Sequence, residues 1–477
     1  MRNLILVALL MAGALSGHAQ KGSESILKEL EKNQEAYGVI AQQIWDYAEM
    51  GYLEEKSSAL LQKTLSDQGF TIRKAVAGIP TAFIAEYGSG APVIAILGEY
   101  DALPGLSQER VPEQKSAGKA AGHACGHHLF GTASAAAAIS VKNWMSKNKV
   151  KGTIRFYGTP AEEGGSGKVY MVRAGLFNDV DAVLHWHPGD RNQANAGAAL
   201  ANKSAKFRFY GISAHAAGAP EKGRSALDGV EAMNMMVNMM REHVPQDARI
   251  HYVITDGGKA PNVVPNFAEV YYYARNSKRD VVIEIFDRIV KAAEGAALGT
   301  GTTMDYEMIG GTHELLPNLT LQKVMYDELV KVGGVNYTPE EKMFADQIAK
   351  TLGQEEADAA KAASVVEYKE VGTPRGSTDV GDVSFTVPTV GMSAATWVPG
   401  TPAHSWQAVA AGGTSIGNKG MMVAAKTLAL TAEKLFSDPS IIAKAKEEFE
   451  ERRGKDFKYT PLLGDRPPAL DYRHSVQ

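Results

Sequence analysis

The 477-residue sequence holds a single cysteine, Cys125. No intrachain disulfide can brace it, so the fold must rest on packing, hydrogen bonds or bound ions. Neither charge is in real excess: 50 Lys and Arg stand against 54 Asp and Glu, a formal net charge of −4. That balance offers nothing to nucleic acid or an anionic membrane, which are gripped by clustered positive charge. Nor is there a run of the ~20 apolar residues that a membrane-spanning helix needs, an internal repeat or an extended low-complexity tract. What remains is ordinary soluble composition, 44% hydrophobic and 22% charged, which supports sizeable buried cores and two or three domains.

Residues 1–19 read as a secretory signal. Arg2 supplies positive charge, an apolar run from Leu4 to Leu15 follows, and Gly17 and Ala19 are the small residues a signal peptidase requires. The signal places the protein in a periplasm or outside the cell. An exported chain with one thiol must either use it or bury it.

Downstream, residues 26–50 carry helical spacing, and 57–69 predict a second helix closed by Gly69. Residues 81–87 and 92–98 read as strands. The second runs Val93, Ile94, Ala95, Ile96, Leu97 without a polar break, as a strand covered on both faces requires. An Ala-rich helix (133–147), a strand (153–157), a helix (169–174) and a strand (181–186) follow. This alternation predicts an α/β fold with a largely parallel sheet flanked by helices. The pattern then changes. Strands at 206–209, 250–255, 269–274 and 303–309 alternate with helices at 226–241 and 281–297 in the order β-α-β-β-α-β, a ferredoxin-like α+β unit. The chain therefore divides into a first part of the main domain (20–202), an inserted domain (203–312) and a second part (313–477). The Met-rich run at 233–240 reads as packing at a core or an interface, and the Pro-rich stretch 461–472 as an extended tail on the surface.

Ligand-type residues gather in a few segments. Gly98-Glu99-Tyr100-Asp101-Ala102-Leu103-Pro104 follows the buried strand, and His123-Ala124-Cys125-Gly126-His127-His128 precedes the Ala-rich helix. Pro160-Ala161-Glu162-Glu163-Gly164-Gly165 follows the next strand, His185-Trp186-His187-Pro188 ends another, and Ala403-His404-Ser405-Trp406 lies far downstream. Together with Ser213-Ala214-His215 they hold seven of the twelve histidines, which surface histidines scattered at random would not do. In open α/β sheets, sites form beyond the carboxyl ends of strands, where several of these segments fall. Each residue alone has a bland reading: a buried thiol, a solvated carboxylate pair, a turn histidine. Jointly, thiolate, imidazole and carboxylate make a set suited to zinc or a neighbouring transition metal, and a metal gives the lone thiol its use.

The ordered motifs G-E-Y-D-A-L-P, H-A-C-G-H, P-A-E-E, W-H-P, S-A-H-A, G-G-x-x-P-N-V-V-P-N and H-S-W resemble those of the dinuclear-metal amidohydrolases related to aminoacylase and carboxypeptidase G. In particular the chain resembles the aminobenzoyl-glutamate hydrolase B-subunit group, which shares Gly376-Ser377-Thr378-Asp379-Val380-Gly381-Asp382-Val383. The resemblance spans nearly all of the mature chain. It implies a metallopeptidase domain interrupted by a lid and dimerisation domain, and two divalent metal ions. Zinc or manganese comes first for such donors, and cobalt and nickel are tolerated. The implied metal ligands are Cys125, His127, Glu163, His187 and His404, with Cys125 as the implied bridge and Glu162 as general base. His185 is the alternative to His187, and His128, where relatives carry Asp or Asn, is the alternative to His127. By the same resemblance Asp101 orients a ligand, His215 reaches the active site of a neighbouring subunit in a homodimer, and Asn262 and Arg275 hold the substrate's free carboxylate. The implied reaction is hydrolysis of an N-acyl or N-aroyl amino acid such as aminobenzoyl-glutamate. A dipeptidase or carboxypeptidase of the same chemistry, and a catalytically silent subunit of a heteromer, are the competing readings.

Overall fold

The computed structural model describes residues 23–194, 199–372 and 376–474; the export signal over 1–19 lies outside them. The chain forms β1 (Thr71–Lys74), β2 (Phe83–Ser89) and β3 (Val93–Gly98), then a short ribbon of β4 (Leu103–Pro104) and β5 (Ala121–Gly122), then β6 (Gly152–Gly158) and β7 (Ala182–Gly189). Strands β8 (Ala201–Tyr210), β9 (Arg249–Asp256), β10 (Phe267–Asn276) and β11 (Thr303–Thr312) make a separate sheet, and β12 (Thr389–Ala395) returns to the first. The main sheet has the order β1-β2-β6-β3-β7-β12. Strands β6, β3, β7 and β12 are parallel, while β1 and β2 close one edge antiparallel.

Strand β3 shows why this sheet forms. Ile94 and Ile96 enter one hydrophobic core while Val93, Ala95 and Leu97 enter another on the opposite face. Successive side chains point to opposite faces, so an unbroken apolar run must be covered twice. One cover includes helices α1 (Gln34–Tyr47), α2 (Glu55–Asp67) and α3 (His127–Asn148); the other includes α4 (Gly167–Arg173). Helix α3 begins at His127, earlier than residue 133, so the first imidazoles of its segment belong to the helix. The helical spacing of 26–50 is interrupted at Asn33, whose side-chain amide donates to the Glu29 carbonyl at 3.0 Å, in competition with the helical ladder.

The second sheet is antiparallel throughout, in the order β11-β8-β10-β9. Helices α5 (Ala226–Met240) and α6 (Arg279–Thr300) cover one face, burying Phe207, Phe209, Tyr272 and Phe286. The alternate residues Lys206 and Arg208 face the other way and pair with Glu269, and Arg208 also with Glu307. Met233 and Met240 of the Met-rich run are buried, while Met235 and Met239 are 62% and 67% exposed, so only half of that run serves this core. The chain then re-enters the main layer through α7 (Leu319–Val332), α8 (Val380–Ser384) and α9 (Ser415–Ser437). The Pro-rich stretch 461–472 keeps largely to the surface, with Gly464, Asp465, Pro467, Leu470 and Asp471 exposed, but is anchored near its start. Leu462 and Leu463 are buried beneath the junction of the two sheets, because an apolar pair gains more by burial than exposure. Among the described residues, no helix is long and apolar enough to cross a membrane.

Candidate active site

The parallel strands end at one edge, and their following turns build the site. Asp101, three residues beyond β3, bonds two ways: one carboxylate oxygen accepts from His127 Nδ1 at 2.8 Å and the other from the Glu163 N–H at 2.8 Å. Glu99 lies with one oxygen 3.0 Å from His127 Nε2 and the other 2.6 Å from Lys168 Nζ. Lys168, fully buried, also meets Asp379 at 2.8 Å. Neither Glu99 nor Lys168 is singled out by sequence reasoning. Glu99 lies inside the G-E-Y-D-A-L-P motif without a role of its own, and nothing around Lys168 announces its partners.

Three sets of ligand atoms each converge within 4.8 Å: Cys125 with His127 and His187; Cys125 with Glu163 and His404; and Glu99 with His127 and Glu162. Cys125 belongs to two of them. Its sulfur is 3.4 Å from His187 Nε2, and His404 Nε2 is 3.1 Å from Glu163. The backbone is bent to achieve this. Ala161, just before the glutamates, has φ 57°, and His404 has φ 60°, a left-handed conformation that costs non-glycine residues energy and clusters at functional sites. The His404 N–H is held by the Ala124 carbonyl at 3.0 Å, which ties the downstream ligand to the Cys125 segment.

This donor set fits a divalent metal. His127 Nε2 and Glu163 Oε1 are buried with only Glu99 and His404 Nε2 close by, at 3.0 and 3.1 Å, and both residues belong to the converging sets. His187 Nδ1 must donate to the Pro188 carbonyl at 2.7 Å, which leaves the Nε2 lone pair aimed at Cys125. The electrostatics agree. Burial pushes the Cys125 thiol well up, reinforced by Glu163. Glu162 is raised well above the carboxylate range by burial and by neighbouring Glu99 and Glu163. Burial opposes a charge on His127, yet Cys125, Asp101 and Glu99 outweigh it and raise its pKa well above the ordinary value. A pocket that crowds carboxylates and favours positive charge at its centre is one that a cation relieves.

Two alternatives are separated by geometry. His128 donates to the Gly412 carbonyl at 3.0 Å and packs on His123, with ring centroids 4.9 Å apart. Burial lowers its pKa well below the usual range, so it is a neutral packing histidine outside the cluster, and His127 is inside. His185 shares a face of β7 with His187 but lies against Gly391, where a Cβ would fall 2.2 Å from its Nε2; it belongs to none of the converging sets.

The chain matches Peptidase family M20/M25/M40 over residues 95–410. It belongs to that family. It is 43% identical to the B-subunit of p-aminobenzoyl-glutamate hydrolase from Escherichia coli K12 over 472 residues, covering 92% of this chain and 97% of the relative. It is 29% identical to the Xaa-Arg dipeptidase of Mus musculus over 438 residues, 89% of this chain and 91% of the relative. Its fold is that of a dinuclear metal binding peptidase of the M20 family from Bacillus subtilis, with a TM-score of 0.55 and 19% identity, covering 85% and 99% of the two chains. This member of the M20 family is thus a hydrolase acting on amide bonds, with a largely parallel sheet flanked by helices and a set of residues able to bind metal.

The other residues that the sequence motifs imply for the site, His215, Asn262 and Arg275, lie on the second sheet of this M20 peptidase and its connections, outside the metal-type sets. His215 is exposed, and its Nδ1 accepts from the Ala217 and Gly218 N–H groups at 3.2 and 3.0 Å, which leaves Nε2–H as an outward donor. Asn262 is its neighbour, its carbonyl accepting from the Ala216 N–H at 3.0 Å. Arg275 is not with them. It is the penultimate residue of β10, paired with Asn202 near the domain junction, its guanidinium over Tyr273 at 5.1 Å and its Nε without a partner. The strand places Phe267 and Arg275 about 27 Å apart at its normal rise, and Asn262 precedes Phe267. Within one chain, Asn262 and Arg275 cannot grip the same carboxylate.

Proposed function

We propose that this protein cleaves the amide bond joining an acyl or aroyl group to an amino acid with a free carboxylate, with p-aminobenzoyl-glutamate as the reference substrate. The observation that carries this reading is the pair of ligand sets sharing Cys125, with Glu162 beside them. End-to-end likeness to the E. coli hydrolase chain supports the substrate class. In this reading Cys125, His127 and His187 would hold one divalent ion and Cys125, Glu163 and His404 the other, Cys125 being common to both sets. Zinc or manganese suits these donors best, and cobalt or nickel is compatible. When bound, such ions supply the Lewis acidity that makes water a nucleophile near neutral pH.

The chain's own groups do the rest. Asp101 fixes the His127 tautomer and the Glu163 backbone together, so a ligand and the carboxylate turn are aligned by one side chain. Glu162 takes the proton of the attacking water at its carboxylate and passes it to the departing amine. Burial among other carboxylates raises its pKa, which makes it the stronger acceptor in the first of these transfers. The Nε2–H of His215 donates to the oxyanion that develops on the carbonyl oxygen. His215 and Asn262 come from the partner in a homodimer and Arg275 from the same chain, which reconciles their separation within one chain. The exposed Met235 and Met239, with Ile254 on edge strand β9, are the apolar face such a dimer would bury. The N-terminal signal supports an exported protein.

Likeness to the Xaa-Arg dipeptidase favours dipeptides as the second substrate class. The reading as a silent member of a heteromer is opposed by the complete ligand set and by Glu162. Metal analysis of the purified chain, with turnover measured on p-aminobenzoyl-glutamate, other N-acyl amino acids and dipeptides, tests all three. We expect stoichiometric metal and hydrolysis of the aroyl amino acid without a second polypeptide. Glu162→Gln is expected to keep its metal while kcat falls by about 10³-fold or more; near-normal turnover in that variant removes Glu162 from the mechanism.

A further inference from the structure

The Pro-rich segment after residue 454 takes a route that packing alone does not explain. It starts at the junction of the two sheets. The Tyr459 hydroxyl donates to Asp382 at 2.7 Å, His313 Nε2 donates to the Thr460 carbonyl at 2.9 Å, and Leu462–Leu463 backbone lies so close to Gly311 that a Cβ there would fall 2.6 Å away. It then crosses α4. Arg173 donates to the carbonyls of Gly464 and Arg466 at 3.0 and 2.9 Å, and the Tyr170 hydroxyl to that of Pro467 at 3.2 Å. Arg466 in turn donates to the Met308 and Ile309 carbonyls of β11. Pro467 and Pro468 hold the chain extended at little entropic cost.

The segment ends on the catalytic turn. The Tyr472 hydroxyl and Arg473 Nη2 donate to the same acceptor, the Glu163 carbonyl, at 3.0 and 2.7 Å. Tyr472 is wedged edge-on against Tyr52, with ring centroids 5.6 Å apart, in a seat that exists because residue 51 is glycine: a Cβ there would fall 2.2 Å from its hydroxyl. The Arg473 guanidinium lies over the Tyr472 ring at 4.7 Å. The Glu163 N–H is held by Asp101, so both peptide groups flanking Glu163 are fixed, one from the turn after β3 and one from residues 472 and 473. The ends of the turn are held by other side chains, the Ala161 N–H donating to Glu54 at 2.8 Å and the Tyr52 hydroxyl to the Gly165 carbonyl at 2.6 Å, which leaves its centre to Asp101, Tyr472 and Arg473. Ala161 and Gly164 both have positive φ, 57° and 92°, and two short backbone bonds, Gly164 N–H to the Glu162 carbonyl at 2.7 Å and Gly165 N–H to the Ala161 carbonyl at 3.0 Å, are what it has of its own.

We propose that Tyr472 and Arg473 are positioning residues: by clamping the Glu163 carbonyl they set the orientation of the Glu162–Glu163 turn, and with it the place of the base carboxylate relative to the metal-type ligands. The proposal rests on Glu162 being the general base. A base displaced by an ångström loses far more in the chemical step than in substrate binding. Loss of the clamp therefore acts on kcat, with the ligand atoms still able to meet.

The test uses the full chain carrying Tyr472→Phe, Arg473→Ala, both together, or Arg473→Lys, with Glu162→Gln as reference. Metal content, melting temperature, kcat and KM on p-aminobenzoyl-glutamate, and amide hydrogen exchange over residues 160–166 are measured on each. Tyr472→Phe removes one hydroxyl and leaves the ring in its seat, so it tests the clamp without unfolding the segment. We expect each single loss to lower kcat several-fold and the double by about 100-fold, with KM within about twofold. Metal content should stay at the wild-type level, exchange should speed up over 160–166 only, and Arg473→Lys should recover most of the rate. A double variant within twofold of wild-type kcat, beside an inactive Glu162→Gln, overturns the clamp alone. Metal loss in step with kcat, reversed by added metal, also overturns it and assigns the residues to metal retention. An active Glu162→Gln overturns the base assignment instead.

Discussion

Lys168 has no exposed surface, and removing an ammonium from water costs several kcal/mol unless paired charges offset it. Glu99 and Asp379 do so at 2.6 and 2.8 Å. Burial works against the charge, yet Asp379, Glu99 and Glu162 outweigh it and raise the pKa above the lysine range. The same cation offsets the repulsion between Asp379 and Glu99, the carboxylate that lies 3.0 Å from His127 Nε2. Lys168→Met removes the cation and leaves Glu99 and Asp379 uncompensated, so we expect a loss of about 3–5 kcal/mol in urea unfolding. A loss below about 1 kcal/mol means that the pair is not holding the site. This residue was illegible in the sequence because its meaning lies in partners elsewhere, Asp379 being 211 positions away. The metal-type ligands were legible because thiol, imidazole and adjacent carboxylates are uncommon together and carry chemistry on their face.

At the level of elements, α8 ties the two sheets together through one acid. Asp382 is buried and accepts from the His313 N–H at 3.0 Å, where β11 leaves the insertion, and from the Tyr459 hydroxyl at 2.7 Å. Burial pushes its pKa up to about 7, more than these donors can offset. A carboxyl group raised in the folded state takes up protons on folding, so its contribution to stability is complete below about pH 4 and is lost as pH rises to about 7. Asp382→Asn cannot titrate. Its stability relative to wild type should therefore improve by about 3 kcal/mol between pH 5 and pH 7.5, measured by urea unfolding at both values. A difference that stays constant with pH removes Asp382 from the titration. Elements of this kind were readable in outline. The strand at 93–98 and the βαββαβ order of the insertion follow from apolar runs and alternation. The antiparallel edge made by β1 and β2 and the inclusion of His127 in α3 depend on pairing and capping between distant segments, which local spacing does not record.

For the whole molecule, the insertion carries His215 and Asn262 at one end of its sheet and Arg275 at the other. If these ends serve one reaction, they do so across a dimer. Met235→Glu with Met239→Glu places two carboxylates on the exposed face of α5, and we expect a monomer by sedimentation velocity with its metal retained. Its kcat/KM should fall by about 100-fold or more, the scale of losing an oxyanion donor. A monomer with undiminished turnover excludes His215 from catalysis, and a variant that remains dimeric moves the interface elsewhere.

The route of the segment from Tyr459 to Arg473 bears on when the protein becomes active. A growing polypeptide possesses every metal-type ligand once residue 404 has been made, but the carboxylate turn receives its two donors only when residues 472 and 473 follow. On the clamp proposed above, full turnover therefore waits for the last of these residues to be made. Loss of residues 472 and 473 would lower turnover by the roughly 100-fold expected of the double variant while leaving all of the metal-type ligands in place.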